Sequence, residues 1–410
     1  ADTVSPRTLF IWGYAVFTAG SLLCGLATSL GMLVFFRCVQ GLGGSILVIM
    51  TYTSVARFLP AARVGGAMGI LATCGALGIA VGAPLGGFLT ERLSWQWVFF
   101  VNVPIGLLAI LLASWAIPRE MGDGKPMGKL DFLGALLSML SVVSFVLALN
   151  VGQKHGWNSL HFAALLAVSV FCGALFLVRQ FKAKEPLVAP ALLKERRFLL
   201  ANAVAVFGLL LMGGNAFLMP FLLELAKGLS PERAGMTLMI YSITFMALSP
   251  LTGRLADRIA PSHLCVAGMG VAAACCLVFA RTMGAPGYAS VVIFLVGLAI
   301  GYALFLAANA KLVLSSAPME QKGTASAVYG TIYNLGLLIG VNIFETLYTA
   351  TGASLKTLPV APGEGACVPG FSHAYLFGAV ACLVSLLLAS GIPHISKSSS
   401  VCEGVWESTG

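Results

Sequence analysis

Charged residues leave twelve long uncharged stretches along the chain, at 8–36, 38–56, 64–90, 93–118, 132–153, 156–178, 198–223, 234–253, 259–280, 282–310, 323–344 and 365–396. Most reach the roughly 20 residues that a helix needs to cross a ~30 Å hydrocarbon core. Unpaired backbone groups are prohibitively costly in lipid, so a spanning segment is either a helix or a strand of a closed barrel. The period-two alternation of a barrel strand is missing. The pattern predicts an all-α membrane protein that crosses the bilayer about a dozen times.

The polar segments between these stretches divide the chain. Four hydrophobic helices run to Pro118 and form an N-terminal bundle, 1–118. A charged connector, Arg119 to Lys129, opens the segment 119–196, which holds a helical hairpin at about 131–180 and a second basic connector around Glu185-Pro186. Six more helices make a C-terminal bundle at 197–395, and 396–410 reads as a flexible cytoplasmic tail.

An internal repeat supports this division. Gly65-x-Ala67 matches Gly323-x-Ala325 at an offset of 258, and the same offset carries Gly78 onto Gly336 and Gly82 onto Gly340. Leu255-Ala256-Asp257 echoes Ala1-Asp2. Two helices precede Asp257 in the second half and none precedes Asp2, so symmetry predicts two further helices upstream of Ala1 and a parent of fourteen, about twelve of them present here.

Composition removes the soluble alternative. Hydrophobic residues make up 59% of the chain, charged residues 10%, and the mean hydropathy is +0.95, far from the roughly one-quarter charged residues of a soluble domain. The net charge of +9 has a topological explanation. If the helices zigzag from a cytoplasmic start, one set of ends carries seventeen of the 24 basic residues, among them Arg57, Arg63, Arg179, Lys194, Arg254, Arg258, Lys311 and Lys322. The opposite ends carry six: Arg92, Lys154, Lys227, Arg233, Arg281 and Lys356. This asymmetry places both termini in the cytoplasm and makes nucleic acid an unneeded partner. Most of the ten cysteines lie in apolar spans, and the five histidines lack metal-ligand spacing, so neither a metal site nor a cofactor is expected.

Two motifs carry charge into the apolar frame. Gly253-Arg254-Leu255-Ala256-Asp257-Arg258 joins two helices, and Asp2 with Arg7 forms the remnant of a second such loop. Arg37-Cys38-Val39-Gln40-Gly41 places a guanidinium inside an apolar span, where a lone Arg costs at least ~2.5 kcal/mol and demands a partner or a wet cavity. Gly78, Gly82 and Gly86 recur every four residues along one helix face, with Gly75, Pro84 and Gly87 beside them, and suit a closely approaching neighbour backbone.

These segments resemble motifs of the major facilitator superfamily, in particular its fourteen-helix drug:proton antiporters. The Gly253–Arg258 loop is similar to the family's Gly-x-Leu-Ala-Asp-Arg loop. That likeness implies an ionic latch in which the Asp pairs with nearby Arg residues and a facing helix end; at the amino end Thr3 stands where a basic residue is usual. Arg37 and Gln40 match Arg-x-x-Gln-Gly-x-Gly, which implies a part in proton coupling, while structural pairing inside the bundle is the plainer reading. The run from Gly75 to Gly87 resembles the antiporter signature, with Ala83 for a common Gly, and simple helix packing would use the same spacing. Trp95-Gln96-Trp97 through Gly106 looks like a segment of the same group, with Gln96 replacing Arg, and Asp131-x-x-Gly134 opens the hairpin much as it does there.

The resemblance implies export of hydrophobic or amphipathic, often cationic, compounds in exchange for protons, by rocking one bundle against the other across the cell (inner) membrane. Glu224 and Glu345 are the acidic proton-coupling candidates within spans, although both lie near helix ends, and related exporters often use an acid in the first helix. Asn102, Asn215, Tyr241, Asn309, Tyr333 and Asn334 are candidates to line a cavity, with Met212, Met219, Phe217 and Phe305 as apolar contacts. The expected partners are a small-molecule substrate, protons and the lipid bilayer, with a periplasmic adaptor as a further one in a double-membrane bacterium. Two alternatives stay open: an exporter of one metabolite, amino acid or siderophore, and a non-transporting receptor or membrane enzyme. Against an enzyme, the chain has no Walker loop, His-Glu-x-x-His or nucleophile elbow.

Overall fold

Apolar runs without interior caps propagate as helices once the backbone leaves water. In a computed structural model, which describes residues 5–117, 131–183, 186–285, 287–318, 321–351 and 368–392, every regular element is helical. The elements are α1 Pro6–Gly25, α2 Leu30–Phe58, α3 Ala61–Arg92, α4 Trp97–Phe100, α5 Asn102–Ala116, α6 Phe132–His155, α7 Leu160–Lys182, α8 Pro190–Lys194, α9 Arg196–Phe221, α10 Pro231–Arg258, α11 Pro261–Thr282, α12 Ala289–Ser315, α13 Lys322–Thr349 and α14 Val368–Ser390. Among the described residues, eleven helical stretches are long and apolar enough to cross a membrane. The remaining expected span is α3, a continuous helix of 32 residues, about 48 Å long.

Polar side chains set many of the helix starts. Ser29, Ser159 and Ser230 accept the amides of Met32, Phe162 and Arg233, and Pro231 occupies the first turn of α10, where its missing N–H costs nothing. Pro220 near the end of α9 leads into a π-helical turn, Leu222–Ala226, in which the Lys227 amide reaches back five residues to Leu222 O. The span after α3 is in two pieces, α4 and α5, which meet at Val101 just before Pro104.

The 258-residue offset reappears in three dimensions. It carries α1 onto α11, α2 onto α12 and α3 onto α13, within a few residues at each end. α1 packs on α2 as α11 packs on α12, α1 meets α5 as α11 meets α14, and the contact of α2 with α13 mirrors that of α12 with α3. α3 also lies along α10, so it leans on helices of the second repeat.

The densest apolar packing is in the second repeat. Phe279 and Phe294 stack at 4.2 Å, and Tyr375 sets its edge against both, at 5.1 and 5.2 Å. α9 and α13 touch backbone to backbone, because a Cβ on Gly336 would come within 2.8 Å of Leu209 and one on Gly340 would strike the Leu210 carbonyl. The hairpin α6–α7 is held by reciprocal bonds between Ser141 and Ser169, each hydroxyl donating 2.9 Å to the other's carbonyl. At its base Asp131 caps α6 through the Gly134 amide at 2.9 Å and pairs with Arg179 Nε at 2.7 Å. The Gln153 side chain donates to Asn342 O and joins the hairpin to α13.

Candidate functional site: a latch and a tyrosine-lined cavity

α10 ends on the motif that carries Asp257, and there the helix meets α3. The two carboxylate oxygens accept the amides of Gly65 and Gly66, each at 2.7 Å, while Lys311 Nζ from α12 lies 2.6 Å from Oδ1 and donates also to Ala256 O at 3.0 Å. Both side chains are little exposed, 13% for Lys311 and 11% for Asp257. Charge-assisted bonds of this kind are short and about twice as strong as neutral ones.

Glycine makes the approach possible. A Cβ on Gly65 would sit 2.5 Å from Gly253 O, a Cβ on Gly253 would sit 2.5 Å from Gly65 O, and one on Gly69 would strike Ser249 O. The expected facing helix is thus α3, reached through amides in its second turn. The expected arginine partners are not found: neither Arg254 nor Arg258 pairs with Asp257 among the described residues, and the cation comes from Lys311. Arg7 begins α1, and Asp2 lies outside the described residues.

A second contact joins the two repeats. Tyr52 of α2 meets Tyr329 of α13 edge to face, with ring centroids 5.9 Å apart. Toward the middle of the bundle from both contacts lies a cavity of about 340 Å³, bounded by α2, α3, α9, α10, α12 and α13. Tyr52, Tyr241, Tyr302, Tyr329 and Tyr333 contribute to its wall, together with Met68, Met212, Asn215 and Ser242. No Asp, Glu, Lys, Arg or His is among the lining residues described. The Tyr302 hydroxyl donates to Gly208 O at 2.6 Å, and the Tyr375 hydroxyl donates to Asn215 Oδ1 at 3.0 Å, which fixes the Asn215 amide at the wall.

The candidate lining residues therefore separate. Asn215, Tyr241, Tyr333 and Met212 line the cavity, whereas Asn309, Asn334, Asn102, Met219, Phe217 and Phe305 do not. Asn309 is fully buried and donates to Ala201 O, tying α12 to α9, and Asn334 and Asn102 bond to carbonyls one turn back in their own segments. Tyr52, Tyr302 and Tyr329 were not among the candidates, and nothing in their sequence surroundings sets them apart from Tyr241 and Tyr333.

Arg37 finds its partners outside the cavity. Its Nη1 donates to Gln40 Oε1 at 2.9 Å, Gln40 Nε2 donates to Ser21 Oγ at 2.6 Å, and the guanidinium lies 5.5 Å from the Phe99 ring centre. The group links α2 to α1 and to the Trp95–Gly106 segment. Glu224 lies in the π-helical turn and Glu345 near the end of α13, both half-buried and both away from the cavity.

The glycine-rich half of α3 has no close neighbour among the described residues. Gly75 borders the cavity, and among the described residues no atom lies within 4 Å of a Cβ placed on Gly75, Gly78, Gly82 or Gly86. Close approach occurs instead at the repeat-related Gly336 and Gly340, which α9 covers; no described helix does the same for α3. Pro84 and Gly87 lie further along that helix.

The sequence profile of the Major Facilitator Superfamily matches residues 1–341 and again 204–400, two overlapping registers that together cover almost the whole chain. The chain belongs to the Major Facilitator Superfamily. An uncharacterized transporter of this superfamily from Mycobacterium tuberculosis is 30% identical over 83% of this chain and 58% of its own length, so the chain spans less than two thirds of that relative. The riboflavin transporter RibZ of Clostridioides difficile is 26% identical over 94% of this chain and 83% of its own. The multidrug transporter MdtP of Bacillus subtilis is 25% identical over 88% and 67%. The solved structure of the human organic anion transporter MFSD10 superposes with a TM-score of 0.67 at 13% identity, covering 95% of this chain and 78% of that one. The superfamily consists of multi-pass membrane transporters, and the eleven apolar helical stretches of this chain agree with that architecture.

Proposed function

We propose that the protein exports small hydrophobic or amphipathic compounds in exchange for protons, by alternating access. The observation that carries this reading is the uncharged cavity between helices of the two repeats, shut at one end by Asp257, the Gly65 and Gly66 amides and Lys311. A closure made of a few ionic and glycine-mediated contacts can open without unfolding a helix. Opening it while the opposite end closes moves the cavity from one side of the membrane to the other.

The basic-residue asymmetry assigns the latch end to the cytoplasm, in the cell membrane. The moving bodies are then the 1–118 and 197–395 bundles, with the 119–196 hairpin carried alongside. Antiport is supported by the resemblance of the Gly75–Gly87 run to the antiporter signature, and drug export by the multidrug relative. Arg37 and Gln40 remain the coupling candidates within a span, and Glu224 and Glu345 the acidic ones.

In proteoliposomes holding the full-length protein, an imposed pH gradient should drive accumulation of a lipophilic dye, and the dye should collapse the gradient in turn. A folded protein that moves dye with no associated proton flux rules out exchange; one that moves neither rules out export.

A further inference from the structure

We infer that a groove between α11 and α12, at the end opposite the latch, holds an acyl chain of an anionic phospholipid whose headgroup lies at Arg281. Both helices span the membrane and belong to the second repeat, all six of whose helices, α9 to α14, are described. The groove is separate from the central cavity and has a volume of about 370 Å³.

Its floor is the Phe279–Phe294 stack, which Tyr375 backs edge-on. Its rims are Val278 and Ile293, 57% and 67% exposed, so within the membrane it opens sideways to hydrocarbon. At the inner end the two helices close on each other, because a Cβ on Gly297 would strike Cys275 Sγ. From Ala274 to Thr282 the groove follows α11 for about 12 Å. A narrow apolar slot with a rigid aromatic floor suits one hydrocarbon chain.

The other end is different in character. Thr282 and Ser290 line it, next to the loop that joins the helices. Ala274, Val278 and Arg281 fall at i, i+4 and i+7 on one face of α11, which sets the exposed Arg281 over that end. Lys227 Nζ donates 2.7 Å to Ala285 O and brings a second cation to the same helix terminus. Neither cation is paired with a carboxylate among the described residues. The groove thus has the polarity of a phospholipid, apolar along its length and polar at its mouth. A guanidinium binds phosphate through paired N–H donors. Two cations together favour a headgroup of net negative charge over a zwitterion, whose own ammonium they repel. α12 turns Ile293 and Phe294 to this groove and Leu295 and Leu298 to the central cavity, so a bound chain packs on the helix that also carries Lys311.

The test uses the full-length protein in nanodiscs of mixed phosphatidylglycerol and phosphatidylethanolamine, with a trace of one or the other carrying a diazirine in its acyl chain. After illumination the labelled peptides are sequenced. Phosphatidylglycerol should label 274–282 and 290–294 about fivefold more than phosphatidylethanolamine, the discrimination expected of one basic residue at a lipid headgroup. Arg281→Gln should bring the two lipids within about twofold. Val278→Trp combined with Ile293→Trp, both at exposed positions, fills the groove and should remove label from these segments while lipid-facing α7 keeps its own, which also shows that the variant is folded. Label spread over the lipid-facing helices in proportion to their exposure overturns the inference. So does equal labelling of the wild-type groove by the two lipids, or undiminished labelling of the filled one.

Discussion

Lys311 holds Asp257 at 2.6 Å and directly follows Ala310, a residue of the cavity wall. One helix, α12, therefore carries both part of the binding surface and the cation of the latch. Met68 has the same double position on α3, two residues beyond Gly66, whose amide binds the Asp257 carboxylate. A guest that shifts either helix by a fraction of a turn alters the latch directly, which gives substrate occupancy a short mechanical route to the closure.

The first prediction concerns that pair. Lys311→Met leaves a poorly exposed carboxylate without its cation, and hydrogen bonds to charged groups contribute about 1.5–3 kcal/mol, so the latched population should fall by about 10- to 100-fold relative to the open one. Asp257→Asn should act similarly. The double variant should cost much less than the sum, because the two side chains act on each other. Solvent accessibility of a cysteine placed at Ser242 in the cavity wall, measured from the latch side, reads the shift.

The glycines of α3 make a paired prediction. Gly69→Ala and Gly253→Ala put a methyl group into backbone of the facing helix and should destabilise the protein by about 1–3 kcal/mol, the usual cost of overpacking. Gly78→Ala and Gly82→Ala meet no atom of the described residues, so in the 410-residue chain they should leave the thermal midpoint in detergent unchanged or slightly raised, given alanine's better helix propensity. Equal losses at all four positions would mean that the second pair is also packed.

Much of this was legible beforehand, for identifiable reasons. Lipid forbids unpaired backbone, so uncharged stretches located helices such as α9, α12 and α13 with little ambiguity, and the glycine register at an offset of 258 anticipated which helices would be related. Asp257 was readable because a motif surrounds it. Lys311 was not: it lies 54 residues away at a helix end where basic residues are expected for topology alone, and only the fold brings it to the carboxylate. The glycine stripe shows what spacing can carry: at the repeat-related Gly336 and Gly340 it admits α9, whereas for Gly78 and Gly82 the described residues include no counterpart of α9. Tyr52 and Tyr329 show the remaining gap, since a ring that packs in a core and a ring that faces a cavity look alike in a sequence.

The base of the hairpin supplies a pH dependence. The Gly134 amide, and then the Arg179 guanidinium, hold the Asp131 carboxyl below its ordinary value of 3.8 despite its burial. A carboxyl lowered in the folded state contributes stability that is fully present above its unfolded value and is lost as pH falls through the folded one. Thermal unfolding of the wild type should therefore lose stability below about pH 4 more steeply than Asp131→Asn, which should be less stable at neutral pH and flatter in acid. Parallel pH profiles would mean that the Asp131 carboxylate contributes nothing to the stability of the fold.

Arg37 depends on a chain of hydrogen bonds through a buried glutamine. Gln40→Leu removes the acceptor for Arg37 and the donor to Ser21, and it should cost about 1–3 kcal/mol, the penalty for stranding polar groups. Arg37→Lys keeps the charge but loses the flat guanidinium beside Phe99, and should recover only part of that stability. Chemical denaturation in mild detergent distinguishes these outcomes from a surface-like Arg37, for which both changes would be neutral.

If the closure works as proposed, it opens when the Asp257 carboxylate is replaced. Spin labels at Arg63 on α3 and Ser315 on α12, both exposed, in a background with the other cysteines replaced, report the separation of the two helices at the latch end by pulsed electron resonance. With Asp257 intact, one short distance should dominate; with Asp257→Asn, a second, longer population should appear and grow when the cavity ligand is added. The same single distance in both proteins, with and without ligand, would contradict it.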